Sequence, residues 1–157
     1  SNPDRLAVWM NPPPDDGSDI DCTASAVAAD DQIANLYYLE TADDGVTSLM
    51  CRGYNVSTSA WVATAQPMVD GVDNMQILYG VTNNGEISQF VSADAVANWS
   101  AVVSVRLVLL VSTGLENGSS GADTRSYELA DSPTLDLTDN FNRRVFSTTV
   151  VINNAIL

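Results

Sequence analysis

VVSVRLVLLV, residues 102–111, sets Val103, Val105, Leu107, Leu109 and Val111 on one side of an extended chain and Val102, Val108 and Leu110 on the other. A strand apolar on both faces for most of its length is covered on both sides, so this stretch predicts a central strand. Upstream, Met75 to Val81 (MQILYGV) repeats at period two through Met75, Ile77, Tyr79 and Val81 and runs into Asn83-Asn84-Gly85. That triplet is a strong turn signal, and Ile87 to Val91 reads as the returning strand. Ser92 to Trp99 (SADAVANW) offers Ser92 as an N-cap before good helix formers, which predicts one or two helical turns ahead of the central strand.

The same reading extends outward in both directions. Leu6 to Met10 reads as a short strand, and Pro12 to Asp21 (PPPDDGSDID) as a turn-rich acidic connector, because three prolines forbid helix. Ile33 to Glu40, the Asp43-Asp44-Gly45 cluster and Ser48 to Tyr54 make a β-hairpin with a longer loop, and Ala60 to Ala65 a further short strand. Gly114 to Asp123 is a flexible loop by composition and Ala130 to Asn142 a polar connector interrupted by Pro133. Val145 to Asn153 closes the chain as a β-rich strand with Phe146, Val150 and Ile152 on one face. Six or more strands and almost no helix result.

The chain has 157 residues, 45% of them hydrophobic and 17% charged, a balance that folds and that predicts a single domain over 1–157. It begins Ser1-Asn2 without Met, so residues 1–2 read as an expression remnant. Twenty acidic residues against six basic ones, all six of them Arg, give a formal charge of -14. Such a field repels nucleic acid and anionic membrane surfaces. There is no His, which removes Ser-His-Asp and Cys-His catalysis, His-ligated zinc and imidazole pH switches. The longest uninterrupted apolar run, Leu107 to Val111, is far short of the roughly 20 residues that span a bilayer.

The acidic clusters Asp15-Asp16, Asp19, Asp21 and Asp43-Asp44 could hold calcium, but none has the D-x-[DN]-x-[DN]-G spacing, and a solvated acidic face is the better reading. A carboxylate pair for glycoside hydrolysis carries almost no information in a chain with 20 acids, so no enzyme is expected. Cys22 and Cys51 can close one loop, suggesting an oxidising compartment, or can stand as two buried thiols. Arg106, Arg143 and Arg144 are candidate partner contacts, with internal ion pairing the commoner role. Trp61 and Trp99 are candidate interface anchors, with core packing the commoner fate.

Three segments, in order, resemble the PilW family of type IV pilus minor pilins. Pro67 to Val81 (PMVDGVDNMQILYGV) resembles the family's P-L-V-(D/E)-G-V-E-x-M-Q-V-x-Y-G-V segment. Ala97 to Val111 (ANWSAVVSVRLVLLV) resembles its W-x-x-V-x-x-V-R-(V/I)-x-L-L strand, and Arg143 to Asn153 (RRVFSTTVVIN) its R-R-V-F-T-T-T ending. Leu6 to Trp9, the Asp21-Cys22 step and Leu49 to Gly53 (LMCRG) fit its cysteine-bearing region. The strand-Trp-strand order is also similar to that of GspJ, the minor pseudopilin of type II secretion. Many relatives carry a D-T-D-G-D-G turn after the Y-G-V strand; here Thr82-Asn83-Asn84-Gly85-Glu86 stands there, so no calcium loop is expected.

The resemblance implies an α+β pilin-like fold, with this sequence as the globular C-terminal domain, mostly antiparallel sheet with one short helix and lacking the N-terminal hydrophobic helix. It implies a Cys22–Cys51 disulfide; with no His in the chain and the Asp-rich turn replaced, no metal and no cofactor are expected. It further implies a minor pilin that helps to initiate pilus assembly, and sits at the tip, by binding other minor pilins and the major pilin. Such a protein is held in the inner membrane through the upstream helix, its domain in the periplasm, before it joins the pilus on the cell surface; the domain alone is expected to be monomeric. The alternative is a secreted β-sandwich adhesin or carbohydrate-binding module, or a type II secretion pseudopilin. The precursor's N-terminus discriminates: a short leader ending in Gly before an apolar helix with Glu at its fifth position marks the pilin, an ordinary signal peptide the free module.

Overall fold

The computed structural model describes residues 2–10, 20–28, 30–83, 86–116 and 122–152. The described chain groups into two compact units, one of Arg5–Val72 and one of Ser1–Asp4 with Asp73–Leu157.

In Arg5–Val72, β1 (Leu6–Met10), β2 (Ile33–Thr41), β3 (Thr47–Asn55) and β4 (Ala60–Trp61) lie side by side in that order, and β5 (Gln66–Asp70) also pairs with β3. The β2–β3 hairpin pairs without a break from Ile33 with Asn55 to Thr41 with Thr47, around a turn in which Gly45 takes φ +84°. Alternation along the hairpin separates two faces. One carries Ile33, Asn35, Cys51 and Gly53, all buried; the other carries Leu36, Met50, Arg52 and Tyr54, all only partly covered. Cys22 joins Cys51 on the buried face, with Cα atoms 6.1 Å apart, so the two cysteines are paired rather than free.

In the other unit, β11 (Phe141–Val151), β8 (Val102–Glu116), β6 (Val72–Asn83) and β7 (Glu86–Val91) form a four-stranded sheet in that order. β8 is central, as its two apolar faces require. Asp4 extends the sheet where β7 stops: its N–H donates to the Met75 carbonyl and its carboxylate accepts from Ile77 N–H, both at 2.8 Å. A separate antiparallel pair, β9 (Asp123–Tyr127) with β10 (Leu135–Asp139), supplies Tyr127, Leu135 and Leu137 against Val108, Leu110 and Leu129. Here the sequence reading is corrected, because Leu135-Asp136-Leu137 lies in a strand with its leucines inward, not in a polar connector. Pro133 sits before the strand, where its missing N–H costs nothing.

The expected α+β fold with a short helix is overturned: the structure is antiparallel sheet without an α-helix among the described residues. Ser92 to Trp99 yields two separate 3-10 turns, Ala93–Ala95 and Trp99–Ala101. Ser92 makes no side-chain cap, Val96 is already extended, and neither turn buries a residue. A helix nucleus that short, with no apolar face to pack, does not propagate. The second turn is capped instead by Asn98, whose side chain accepts from Ser100 N–H at 3.0 Å. No helix among the described residues is long and apolar enough to cross a membrane.

Candidate interaction surfaces

Arg143 and Arg144 are adjacent in sequence and alternate across β11, so they meet opposite surroundings. The Arg143 side chain is 8% exposed. Its Nη1 and Nη2 donate to the two carboxylate oxygens of Asp139 at 2.6 and 2.7 Å, and its Nε donates to Asp73 at 2.5 Å. This fork-to-fork pairing is the strong form of an Arg–carboxylate bond. The hydrogen bonds from Arg143 hold the Asp139 carboxyl below the usual carboxylate range, and those to Asp139 and Asp73 hold the guanidinium charged. Arg143 is therefore an internal clamp between β6, β11 and the end of β10. Arg144 is exposed.

Arg106, on β8, stacks over the Phe90 ring at 3.8 Å and donates through Nε to Thr149 Oγ1 at 3.3 Å. It ties β7 to β11 across β8 while remaining partly exposed. Trp99 packs edge-on against Tyr79, with ring centroids 4.9 Å apart, yet remains 56% exposed. Burial pushes the Tyr79 phenol up, and Asp4 adds to the shift. Trp61 is 46% exposed, edge-on to Tyr54 at 5.1 Å with Arg52 over its ring at 4.2 Å. Both tryptophans thus lie at the surface rather than in a core.

The acidic positions divide as well. Asp21 is not part of a solvated face: it is 3% exposed, and one carboxylate oxygen accepts from Thr23 N–H, Thr23 Oγ1 and Ser25 N–H at 2.6–3.0 Å. Asp44 caps its own turn by accepting from Val46 N–H, and Asp15, Asp16 and Asp19 lie outside the described residues. Among the described residues no three His, Cys, Asp or Glu side chains come together as a metal site. A shallow pocket of about 350 Å³ lies among Glu40, Asp44, Ser48, Met50 and Asp70, and Asp70 there accepts from Ser48 Oγ.

One surface escapes reading along the sequence. The sequence reads β11 as a closing strand with Phe146, Val150 and Ile152 on one face. It is an edge strand, and Val145, Phe146, Val150 and Val151 are 43–61% exposed. Its composition looks like core, and only strand order tells that no further strand among the described residues pairs with its outer edge.

These features define an antiparallel β protein, stapled by a disulfide, that offers sheet edges, arginines and tryptophans at its surface. The family model for type IV pilus-assembly protein W matches residues 36–154, well over half of the chain, and the chain belongs to that family. Its role accordingly lies in type IV pilus assembly. Comparisons with curated proteins and with solved structures give no match.

Proposed function

We propose that the chain is the globular part of a minor pilin that helps to initiate type IV pilus assembly, and sits at the pilus tip, by binding other minor pilins and the major pilin rather than by catalysis. The observation that carries this reading is the exposure of chemically rich side chains on sheet strands and the adjoining turn: Trp61, Arg144 and the apolar residues of β11 on strands, and Trp99 in the turn before β8. Flat, partly apolar surfaces with Arg and aromatic residues suit protein partners. On this reading the protein waits in the inner membrane, its domain in the periplasm, before it enters the pilus. Two copies, each at -14, repel, so the chain alone is a monomer. It needs no metal or cofactor. The strand-Trp-strand order of β7, Trp99 and β8 also supports a kinship with GspJ.

Deleting the gene tests the proposal. Surface pili should fall sharply in number while major pilin is still made and stored in the inner membrane; normal pilus numbers would overturn it. A second reading, a glycan-binding surface, draws support from the cross-strand row Trp9, Ala34, Tyr54 and Trp61, whose two tryptophans are 57% and 46% exposed. Binding to a glycan panel that Trp61→Ala abolishes would favour it.

A further inference from the structure

β11 pairs with β8 on one side, and no strand among the described residues pairs with its other side. Register decides which backbone groups face outward. Ile152 N–H donates to the Val103 carbonyl at 2.8 Å, and pairing is unbroken from Arg143 with Ser112 to Val151 with Ser104. In an antiparallel ladder, inward-bonded residues alternate with outward-facing ones. Arg144, Phe146, Thr148 and Val150 therefore bond toward β8. Val145, Ser147, Thr149 and Val151 turn their N–H and C=O groups to the open side.

Natural edge strands are usually guarded by charge, proline or a bulge. β5 has Pro67 and Asp70 together with a register shift against β3, and β7 has a register shift against β6. Val145 to Val151 (VFSTTVV) has none of these devices, and it is the longest uncharged run on any described edge. Four of its residues expose large apolar side chains.

Charge then narrows the occupant. In a chain of 20 acids, residues 102–113 and 141–152 contain no Asp or Glu and three of the six arginines. Arg143 is held by Asp73 and Asp139, whereas Arg144 is exposed at the head of the open run. Salt screens the remote negative field beyond about 8 Å, so a strand laid on this edge meets Arg144 before it meets the net charge. A second copy offers no carboxylate on its own β11 and brings a charge of -14 with it.

We propose that the outer edge of β11, Val145–Val151, is a strand-addition site for an extended, acid-flanked segment of a pilin partner, with main-chain hydrogen bonds at Val145, Ser147, Thr149 and Val151 and a carboxylate on Arg144. The inference rests on the pilus-assembly reading above and names the edge and the chemistry of the partner.

Two short synthetic peptides test it on the 157-residue chain: a Val/Thr strand flanked by Asp at both ends, and the same strand flanked by Lys. The Asp peptide should bind at least about tenfold more tightly. It should also slow amide hydrogen exchange at Val145, Ser147, Thr149 and Val151, which should exchange freely in the chain alone. Ser147→Pro, which removes an outward N–H without touching the ladder to β8, should abolish both effects. Arg144→Glu, a surface change, should reverse the preference toward the Lys peptide even if the proline variant folds poorly. Absence of protection, equal binding of both peptides, an unchanged preference in Arg144→Glu, or protection of those amides that rises with chain concentration alone would each overturn the proposal. A deletion strain separates this failure from that of the wider reading: pili restored in full by the Ser147→Pro chain would reject the edge alone, and pili undiminished by deletion would reject the assembly role.

Discussion

In the Arg5–Val72 unit, Gly53 leaves room for the buried carboxylate of Asp21, and in the other unit Gly80 leaves room for the buried hydroxyl of Ser104. A methyl group at either glycine would collide with the polar side chain above it. Each unit thus admits a polar group to a sheet interior through a strand position that lacks Cβ. The ties that close the two units differ. Cys22 and Cys51, 29 residues apart, are joined covalently, and Asp21 organises the turn beside that bond. Arg143 and Asp73, 70 residues apart, are joined by charge and hydrogen bonds. A covalent tie restricts the unfolded chain at any pH, whereas an ionic clamp depends on the carboxylates staying ionised.

Reduction should break this comparison most strongly. Removing the Cys22–Cys51 bond should cost about 2–5 kcal/mol, as is typical for a native bridge. Denaturant unfolding with and without reductant measures it, and amide exchange should place the loss in Arg5–Val72. Alkylation of both cysteines in oxidised, folded protein would show that the pairing is wrong.

Arg143→Gln should have the next largest effect, about 1–3 kcal/mol, since it leaves Asp139 and Asp73 without their charged donor. The pH dependence has a definite sign. A carboxyl held below its ordinary value contributes stability that is fully present above the usual Asp range and is lost as pH falls through the lowered one. Wild type should therefore lose stability from about pH 4 downward, and Arg143→Gln should show a shallower acid limb. Identical limbs would mean that Asp139 is not the titrating partner.

Gly80→Ala should cost about 1–3 kcal/mol by overpacking against Ser104. Ser104→Ala alone should be nearly neutral, because the buried Ser104 hydroxyl has no hydrogen-bond partner among the described residues. The double variant should recover much of the loss, and strictly additive effects would mean that the two side chains do not share the space. The smallest effect expected is that of calcium. Thermal midpoints in chelator and in calcium should agree, and a rise of more than about 5 °C would reveal a site among the acidic loops.

Much of the β architecture can be read directly from local pattern. Period two and two-sided apolarity in residues 102–111 identify the central strand, and Ile33 to Tyr54 reads as the hairpin it forms. β9 and β10 are missed by the sequence reading, which gives no strand over 123–127 and a polar connector over 130–142. Leu135-Asp136-Leu137 alternates as a strand should, but Pro133 and the surrounding polar residues mask a run this short. The helix expected at Ser92 failed for a different reason: local propensity was present, but no packing face was available to sustain it.

By itself the sequence determined the strand content, the acidic field, the absence of imidazole chemistry and the two cysteines available for one bond, because these follow from residue type and local period. Tertiary structure alone decided that Arg143 is buried between Asp73 and Asp139 while Arg144 stays at the surface. It also decided that a core-like strand, Val145–Val151, ends a sheet. Those outcomes depend on strand order and on pairings some 30 to 70 residues apart, and side-chain alternation within one strand is the same whether its neighbour is another strand or water.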